Sequence, residues 1–291
     1  MDTIAHVIAR TDHFRAPPFG PDGTDGYKEW HHFCIMGPDV QAILNFNLSY
    51  QRESPGTPLA RVVVLVRDHT WDGDVDTLRA RDVVVRRGQI DAHFGHNHVC
   101  FQDGMFDLSV ALENRPVALT LRLEPVAFPL MRGSTPIGEG KISWLVVPRL
   151  AASGTIVTGE RVYRLEQVPA YHDHNWGNWR WGHDFAWQWG FALPDRTDVP
   201  WSLVFDQVTD RARNRAMELR LAFLERPTDS APLYARRDSS ATAWLLRCAG
   251  APAQVPAHHG ARHAGGHHRR APSPGSARPQ PGRSPQLLFR G

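Results

Sequence analysis

The sequence predicts an all-β protein built from antiparallel strands. Between residues 106 and 123, apolar and polar residues alternate on both sides of a short turn at residues 114–116. Period-two alternation around a short turn is typical of a β-hairpin with one buried face. Further short runs of this kind, separated by turns containing Gly, Pro or Asp, predict a sandwich or an up-and-down barrel.

The other strands are predicted from the same pattern. They are expected over residues 42–50, 61–66, 82–87, 99–101 and 142–147, then over the tryptophan-rich segment, residues 201–207 and residues 217–224. No stretch has the pattern of a long helix. We place a boundary near residue 160, between a first β domain (20–160) and a second one (161–248). The second is too short for a complete eight-stranded barrel, so we expect it to be incomplete.

Charge and composition restrict the class of protein. The 291 residues carry a formal charge of +3, but residues 251–291 contain six arginines and no acidic residue, which leaves −3 on residues 1–250. A folded region with a net negative charge is not expected to have the basic surface that nucleic-acid binding requires. Residues 249–291 are rich in proline and poor in apolar side chains, which predicts a disordered low-complexity tail.

The expected location is the cytoplasm. No apolar run reaches the roughly 18 residues of a membrane span, and the first residues lack the apolar core of a secretory signal. Cys34, Cys100 and Cys248 lie far apart, which predicts reduced thiols and neither a disulfide framework nor a zinc knuckle. Peripheral contact with a membrane, as a route to a lipophilic substrate, stays open.

The segment 171–191 is the candidate site. It contains five tryptophans, three histidines and two aspartates. In an extended strand His172, His174 and Trp176 share one face, while Tyr171 lies on the other. Indoles clustered beside imidazoles and carboxylates predict a cavity for a large unsaturated ligand. The expected lining residues are Tyr171, His172, Trp179, Trp181, Trp187, Trp189 and Trp201.

Two other interpretations of this segment stay open. The histidines could be buried and hydrogen-bonded while the tryptophans pack an ordinary core. Alternatively, His172 and His174 could begin a metal-ligand set on a strand. The acidic ligand that a cupin-type set requires soon afterwards is missing, and a second group with His96 and His98 on one face has poor supporting residues. We therefore expect no structural metal.

The run Tyr171-His-Asp-His-Asn-Trp-Gly177 resembles the signature of the hydroxyneurosporene synthase family, the carotenoid 1,2-hydratases. That family belongs to a wider set of tandem lipocalin-like proteins, which also contains fungal Diels–Alderases. The resemblance includes Glu29-Trp30, residues 143–148 and residues 203–206, and runs from about residue 20 to residue 247. It implies two lipocalin-like antiparallel β-barrels in tandem, no cofactor, and a large hydrophobic substrate, isoprenoid or polyketide.

The resemblance also implies a reaction, the addition of water to a carbon–carbon double bond. An acid protonates the alkene, and water captures the resulting cation. By resemblance Asp206 donates the proton, His174 orients the water and Trp176 stabilises the cation with its ring face. Phe205 stands where the family tends to have a tyrosine. The alternatives are a cofactor-free cyclase or pericyclase, and a non-catalytic protein that binds lipophilic ligands.

Overall fold

The computed structural model describes residues 3–16, 26–49, 59–137, 139–179, 185–194 and 202–210, together with the backbone of three later strands. One α-helix, α1 (Ile4–Thr11), precedes the strands, and a short 3-10 helix covers Ala80–Asp82. The strands are β1 (Tyr27–Met36), β2 (Gln41–Ser49), β3 (Leu59–Arg67), β4 (Trp71–Arg79), β5 (Val83–Val85), β6 (Asp91–Phe94), β7 (Asn97–Gln102), β8 (Met105–Ala111), β9 (Val117–Pro125), β10 (Leu130–Ile137), β11 (Gly140–Thr158), β12 (Arg161–Asn178), β13 (Phe185–Ala192), β14 (Ser202–Asp210), β15 (Ala216–Arg226), β16 (Asp229–Ala235) and β17 (Phe289–Arg290).

Twelve of these strands form one antiparallel sheet that curls into a nearly closed barrel. Its order is β4-β3-β2-β1-β12-β11-β9-β8-β7-β6-β5, and β10 pairs with β11. Contacts between β3 and β6 bring the two ends of the sheet together. The predicted all-β, lipocalin-like fold is confirmed.

A second sheet of five strands has the order β16-β15-β14-β13-β17. The division into two domains near residue 160 stays a prediction. The pairing does not change at that residue, because β12 pairs with both β1 and β11 in the larger sheet. The expected disordered tail lies outside the described residues except for β17, which pairs with β13.

The predicted hairpin is formed by β8 and β9, whose register places Val110 opposite Leu119. Their buried side chains belong to the barrel core, which is mostly aliphatic. Helix α1 was not predicted, since eight residues are too few for a clear helical period. The hydroxyl of Thr3 caps it by accepting from the His6 amide at 3.2 Å. The helix packs Ile8 into the barrel core, and Phe14 follows into the same core.

Among the described residues, no helix is long and apolar enough to cross a membrane.

Gly177, the last residue of the signature run, is required by the close approach of β11 to β12. Its φ is +151°, and a Cβ added there would lie 2.2 Å from the carbonyl oxygen of Lys141. Gly159 also has a positive φ, +58°, but a Cβ added there meets nothing within 4 Å. A side chain at Gly177 would therefore cause both backbone strain and steric overlap, whereas one at Gly159 would cause backbone strain alone.

We expect Gly177→Ala to lower the free energy of unfolding by about 3 kcal/mol or more, because strain and overlap act together. Gly159→Ala should cost only about 1 kcal/mol, from strain alone. Urea denaturation followed by circular dichroism measures both. Equal losses in the two variants would show that the signature glycine is not a packing requirement.

Candidate functional site

Strand β12 divides the predicted site residues between two surfaces. His172 stacks on Phe33 with ring centroids 4.2 Å apart, and Trp176 packs against the barrel core. Tyr171 lies on the opposite face, in a smaller apolar cluster that includes Val204 of the second sheet. The predicted division of this segment into two faces is confirmed.

The barrel side holds a buried chain of carboxylates and imidazoles, which we call the interior cluster: Asp12, Glu29, His31, His172 and His174. The two oxygens of Asp12 accept from His172 Nε2 at 2.8 Å and from His174 Nδ1 at 2.9 Å. His174 Nε2 donates to Glu29 at 2.8 Å. All five side chains are fully buried. Because both nitrogens of His174 donate to carboxylates, this ring carries a positive charge.

The pairing of β1 with β12 builds this cluster. It places His31 opposite His174 and Phe33 opposite His172, and alternation turns these side chains inward. Asp12 comes from elsewhere in the chain, since it is the residue that follows α1. The roles of Asp12 and His31 are not apparent from the sequence, because they depend on contacts between segments that lie far apart in the chain.

Three further contacts extend the cluster toward the surface. Glu29 accepts a hydrogen bond from the Tyr27 hydroxyl at 3.0 Å and another from the Arg15 backbone amide at 2.7 Å. The Arg15 guanidinium lies 3.9 Å above the ring of Trp176. The ring face of Trp176 therefore contacts a cation from the protein's own chain.

Burial and charge act against each other in the interior cluster. Burial disfavours the charged form of Asp12, but the charge of His172 and the hydrogen bonds from His172 and His174 outweigh it and hold the pKa of Asp12 well below its ordinary value. Burial would lower the pKa of His174, yet its hydrogen bonds to Asp12 and Glu29 raise that pKa. For His31, burial and repulsion from His174 hold the pKa well below its ordinary value, so this ring is neutral.

The opposite face of β12 belongs to what we call the inter-sheet layer, the side chains between β12 and the strands β13 and β14. Its centre is Asp173, which accepts from the Tyr171 hydroxyl at 2.7 Å and from Asn175 Nδ2 at 2.8 Å. Trp189 donates to the Tyr171 oxygen at 3.0 Å. The Tyr171 ring stacks on Phe191, with centroids 4.7 Å apart. Burial and the neighbouring Asp173 hold the pKa of Tyr171 well above its ordinary value.

Asp206 faces this layer from the second sheet. It is only 1% exposed and lies on β14 two residues from both Val204 and Val208. Val204 packs beside Tyr171, and Val208 packs beside Trp179. Since residues two apart on a strand share a face, Asp206 points toward the same side of β12.

The tryptophans of the segment occupy several positions. Trp187 is half-buried and lies 6.1 Å from Trp30 between ring centroids. Trp189 is the backbone partner of Asp206 in the pairing of β13 with β14. Two of the expected lining residues, Trp181 and Trp201, lie outside the described residues.

The three residues assigned to catalysis by resemblance do not meet on one surface. Asp206 lies in the inter-sheet layer, whereas His174 and Trp176 lie on the barrel side of β12. Alternation within β12 was predictable, but the side on which β14 packs depends on the tertiary structure. Their catalytic roles stay predictions.

Among the residues that the structure describes, two groups of side chains have the spacing of metal ligands. The donor atoms of Asp12, His31 and His174 lie within 4.8 Å of one another. In the second group, Asp91 accompanies His93 and His98 rather than the pair with His96 that the sequence indicated. The expectation that no structural metal is present stays a prediction.

No known family model matches the chain, and no curated protein matches its sequence. Among solved structures, it is similar to the AttH candidate NE1406 of Nitrosomonas europaea, with a TM-score of 0.56 and 15% identity over 76% of this chain and 73% of that one. Kievitone hydratase from Nectria haematococca gives a TM-score of 0.50 at 12% identity, over 77% and 70% of the two chains. CghA with Sch210972 gives 0.50 at 10% identity, over 74% of this chain and 64% of CghA. At these identities the likeness shows a shared fold.

The interior cluster predicts that the free energy of unfolding is greatest near pH 6.5, the ordinary pKa of histidine. Above it, the unfolded chain releases the His174 proton while the folded protein keeps it, so stability falls as pH rises. Below it, the unfolded chain protonates His31 while the folded protein keeps that ring neutral, so stability falls as pH falls. Below pH 3.8, the ordinary pKa of an aspartate, Asp12 adds to this loss.

Urea midpoints measured from about pH 4 to pH 9 test this dependence. The variant His174→Gln should weaken the decline above pH 6.5, leaving only the part due to His32, whose pKa is raised to about 10, and should keep the decline below pH 6.5. An unchanged slope above pH 6.5 would show that His174 does not hold its proton in the folded state.

Trp144 and Trp176 should differ in their contribution to stability. Trp144 is 3% exposed and packed in an apolar cluster, so Trp144→Ala should cost about 3–5 kcal/mol. Trp176 is only partly buried, and Trp176→Ala should cost less. Thermal denaturation of the two variants under the same conditions measures the difference. Equal losses of stability would mean that Trp176 is an ordinary core residue.

Proposed function

We propose that this protein is an enzyme that adds water across a carbon–carbon double bond of a large hydrophobic, isoprenoid-like substrate. The observation that carries the proposal is a buried carboxyl group, Asp206, flanked by Val204 and Val208 on a surface rich in aromatic rings. The reaction would take place in the inter-sheet layer, by acid catalysis without a cofactor.

Asp206 is suited to donate the proton that begins hydration. Burial favours the neutral, proton-carrying form of a carboxyl group, and Asp206 is 1% exposed. Transfer of this proton to one alkene carbon leaves a cation on the other and a carboxylate on Asp206. Water then bonds to the cation, and the proton that it releases restores the acid, so the catalyst is regenerated.

The aromatic rings of the layer supply the other requirement, stabilisation of the cation. Trp189 lies on the strand next to Asp206, and Trp187 lies two residues before it. Ring faces attract a desolvated cation by about 2 kcal/mol or more. The Tyr171–Asp173–Asn175 network adds fixed polar groups in the same layer, and these are suited to orient the attacking water.

The interior cluster serves this reaction from behind the strand. His174 and His172 are anchored to Asp12, and they alternate along β12 with Tyr171 and Asp173. The cluster therefore fixes the strand that carries the polar network of the layer. On this geometry His174 and Trp176 act as positioning residues, in place of the direct contact with water and cation that the resemblance implies.

Two further arguments support hydration. The signature run resembles that of the carotenoid 1,2-hydratases, and one structure with this fold is named kievitone hydratase. Identity to the latter is 12%, so its name supports the reaction class and says nothing of the substrate. The isoprenoid substrate rests on the sequence resemblance and on the aromatic surroundings of Asp206.

The variant Asp206→Asn tests the proposal, because an amide has nearly the same shape and no proton to give. Incubation with an acyclic carotene in ¹⁸O-labelled water should produce a labelled alcohol with the wild-type protein. Asp206→Asn should lower the rate by a factor of about 100 or more and leave binding, measured by tryptophan fluorescence quenching, unchanged. The control is Asp76→Asn, a buried aspartate on β4 that accepts from the Glu113 amide.

Three outcomes would contradict the proposal. An isomeric product without added oxygen would indicate a cyclase or pericyclase. Binding of the carotene without any product would indicate a carrier. Equal rates for Asp206→Asn and Asp76→Asn would remove Asp206 as the proton donor.

A further inference from the structure

We propose that Cys34, His32 and Asp173 form a nucleophilic centre in the inter-sheet layer, whose thiol adds to the β-carbon of a conjugated enone. This inference goes beyond the proposed hydration, since protonation of an alkene uses no nucleophile from the protein. It rests on the geometry of four side chains on two paired strands.

The register of β1 and β12 brings these groups together. His32 lies opposite Asp173, and Cys34 lies opposite Tyr171. Residues two apart on a strand share a face, so the four side chains form a block on the side of the sheet that faces β13 and β14. The neighbouring residues His31 and His174 point to the barrel side.

The side chains of this block are arranged as a nucleophile (Cys34), a base (His32) and a group that orients the base (Asp173). Cys34 Sγ lies 3.5 Å from His32 Nε2, within hydrogen-bond distance for sulfur. His32 Nδ1 lies 3.7 Å from Asp173 Oδ2. Asp173 is held in place by hydrogen bonds from Tyr171 and Asn175, at 2.7 and 2.8 Å.

Charge also favours a reactive thiol at this position. Burial opposes the charged form of His32, but its interactions with Cys34 and with the nearby Asp173 outweigh it and raise the pKa of His32 to about 10. A cationic imidazole beside a sulfur atom stabilises the thiolate, the form that acts as a nucleophile. The other described cysteine, Cys100, has the opposite surroundings, because burial and the nearby Asp107 raise the pKa of its thiol.

The surroundings of Cys34 indicate the chemical class of the ligand. The thiol is 2% exposed and belongs to an apolar cluster with Tyr171 and Trp144. Trp189 lies 5.2 Å from the His32 ring between centroids. Flat aromatic walls beside a soft nucleophile suit a flat, conjugated electrophile. The His32 side chain, which contacts Cys34 Sγ, is 15% exposed.

The addition balances without any further reactant. The thiolate of Cys34 forms a carbon–sulfur bond to the β-carbon, and the electron pair of the double bond moves to the carbonyl oxygen as an enolate. His32, which holds the proton of the thiol, transfers it to the α-carbon. The product is a saturated thioether, and reversal of both steps releases the enone.

The test is alkylation by N-ethylmaleimide, a small conjugated electrophile, in the full-length protein. The background variant Cys248→Ser removes the one cysteine outside the described residues. At pH 7, peptide mapping by mass spectrometry should show Cys34 modified at least about tenfold faster than Cys100, because an ordinary thiol is only a few per cent ionised at this pH. His32→Gln should slow the alkylation of Cys34 about tenfold and leave the alkylation rate of Cys100 unchanged. The control His69→Gln replaces an exposed histidine in the turn between β3 and β4.

The comparison of Cys34 with Cys100 needs no variant in the block, so it remains valid if His32→Gln fails to fold. The proposal is overturned if Cys34 is modified only after denaturation, or if Cys100 reacts as fast. It is also overturned if folded His32→Gln reacts at the wild-type rate. None of these measurements depends on hydration, so the two proposals fail separately.

Discussion

The antiparallel pairing of β1 with β12 is the constraint on which the rest of the structure depends. It places His31 opposite His174 and His32 opposite Asp173, so each pair faces a different side of the sheet. Because the side-chain period of a strand is two, a shift of one residue would exchange the two surfaces. The charged groups of the barrel and the polar groups of the inter-sheet layer would then both lose their partners. One register thus decides where each kind of chemistry lies.

Burial of charge inside the barrel makes this register costly to change. An unpaired buried carboxylate is so unfavourable that such groups are retained only with partners. Asp12 has two imidazoles as partners, and His174 has two carboxylates. Asp12 directly follows helix α1, and Ile8 anchors that helix in the core. A short N-terminal helix therefore positions an acid in a cluster otherwise formed by strands.

The two sides of β12 differ in what they offer to a ligand. The barrel side is occupied by the protein's own groups, including the Arg15 guanidinium that lies over Trp176. The opposite side has aromatic rings, two buried aspartates and a thiol between two sheets. This difference is why both proposals place chemistry in the layer.

The alternation of apolar and polar residues along the chain was enough to predict individual strands and the faces on which their side chains lie. The alternation over residues 106–123 defined the β8–β9 hairpin, and the same period-two rule separated Tyr171 from His172 and His174, because both properties depend only on near neighbours in the chain. The partners of those residues could not be obtained in this way. Asp12 meets His174 from 162 residues away, and Asp206 reaches the layer on a strand of another sheet. Long-range register and the packing of one sheet on another depend on the whole chain at once, so only the tertiary structure decided which acid faces which base.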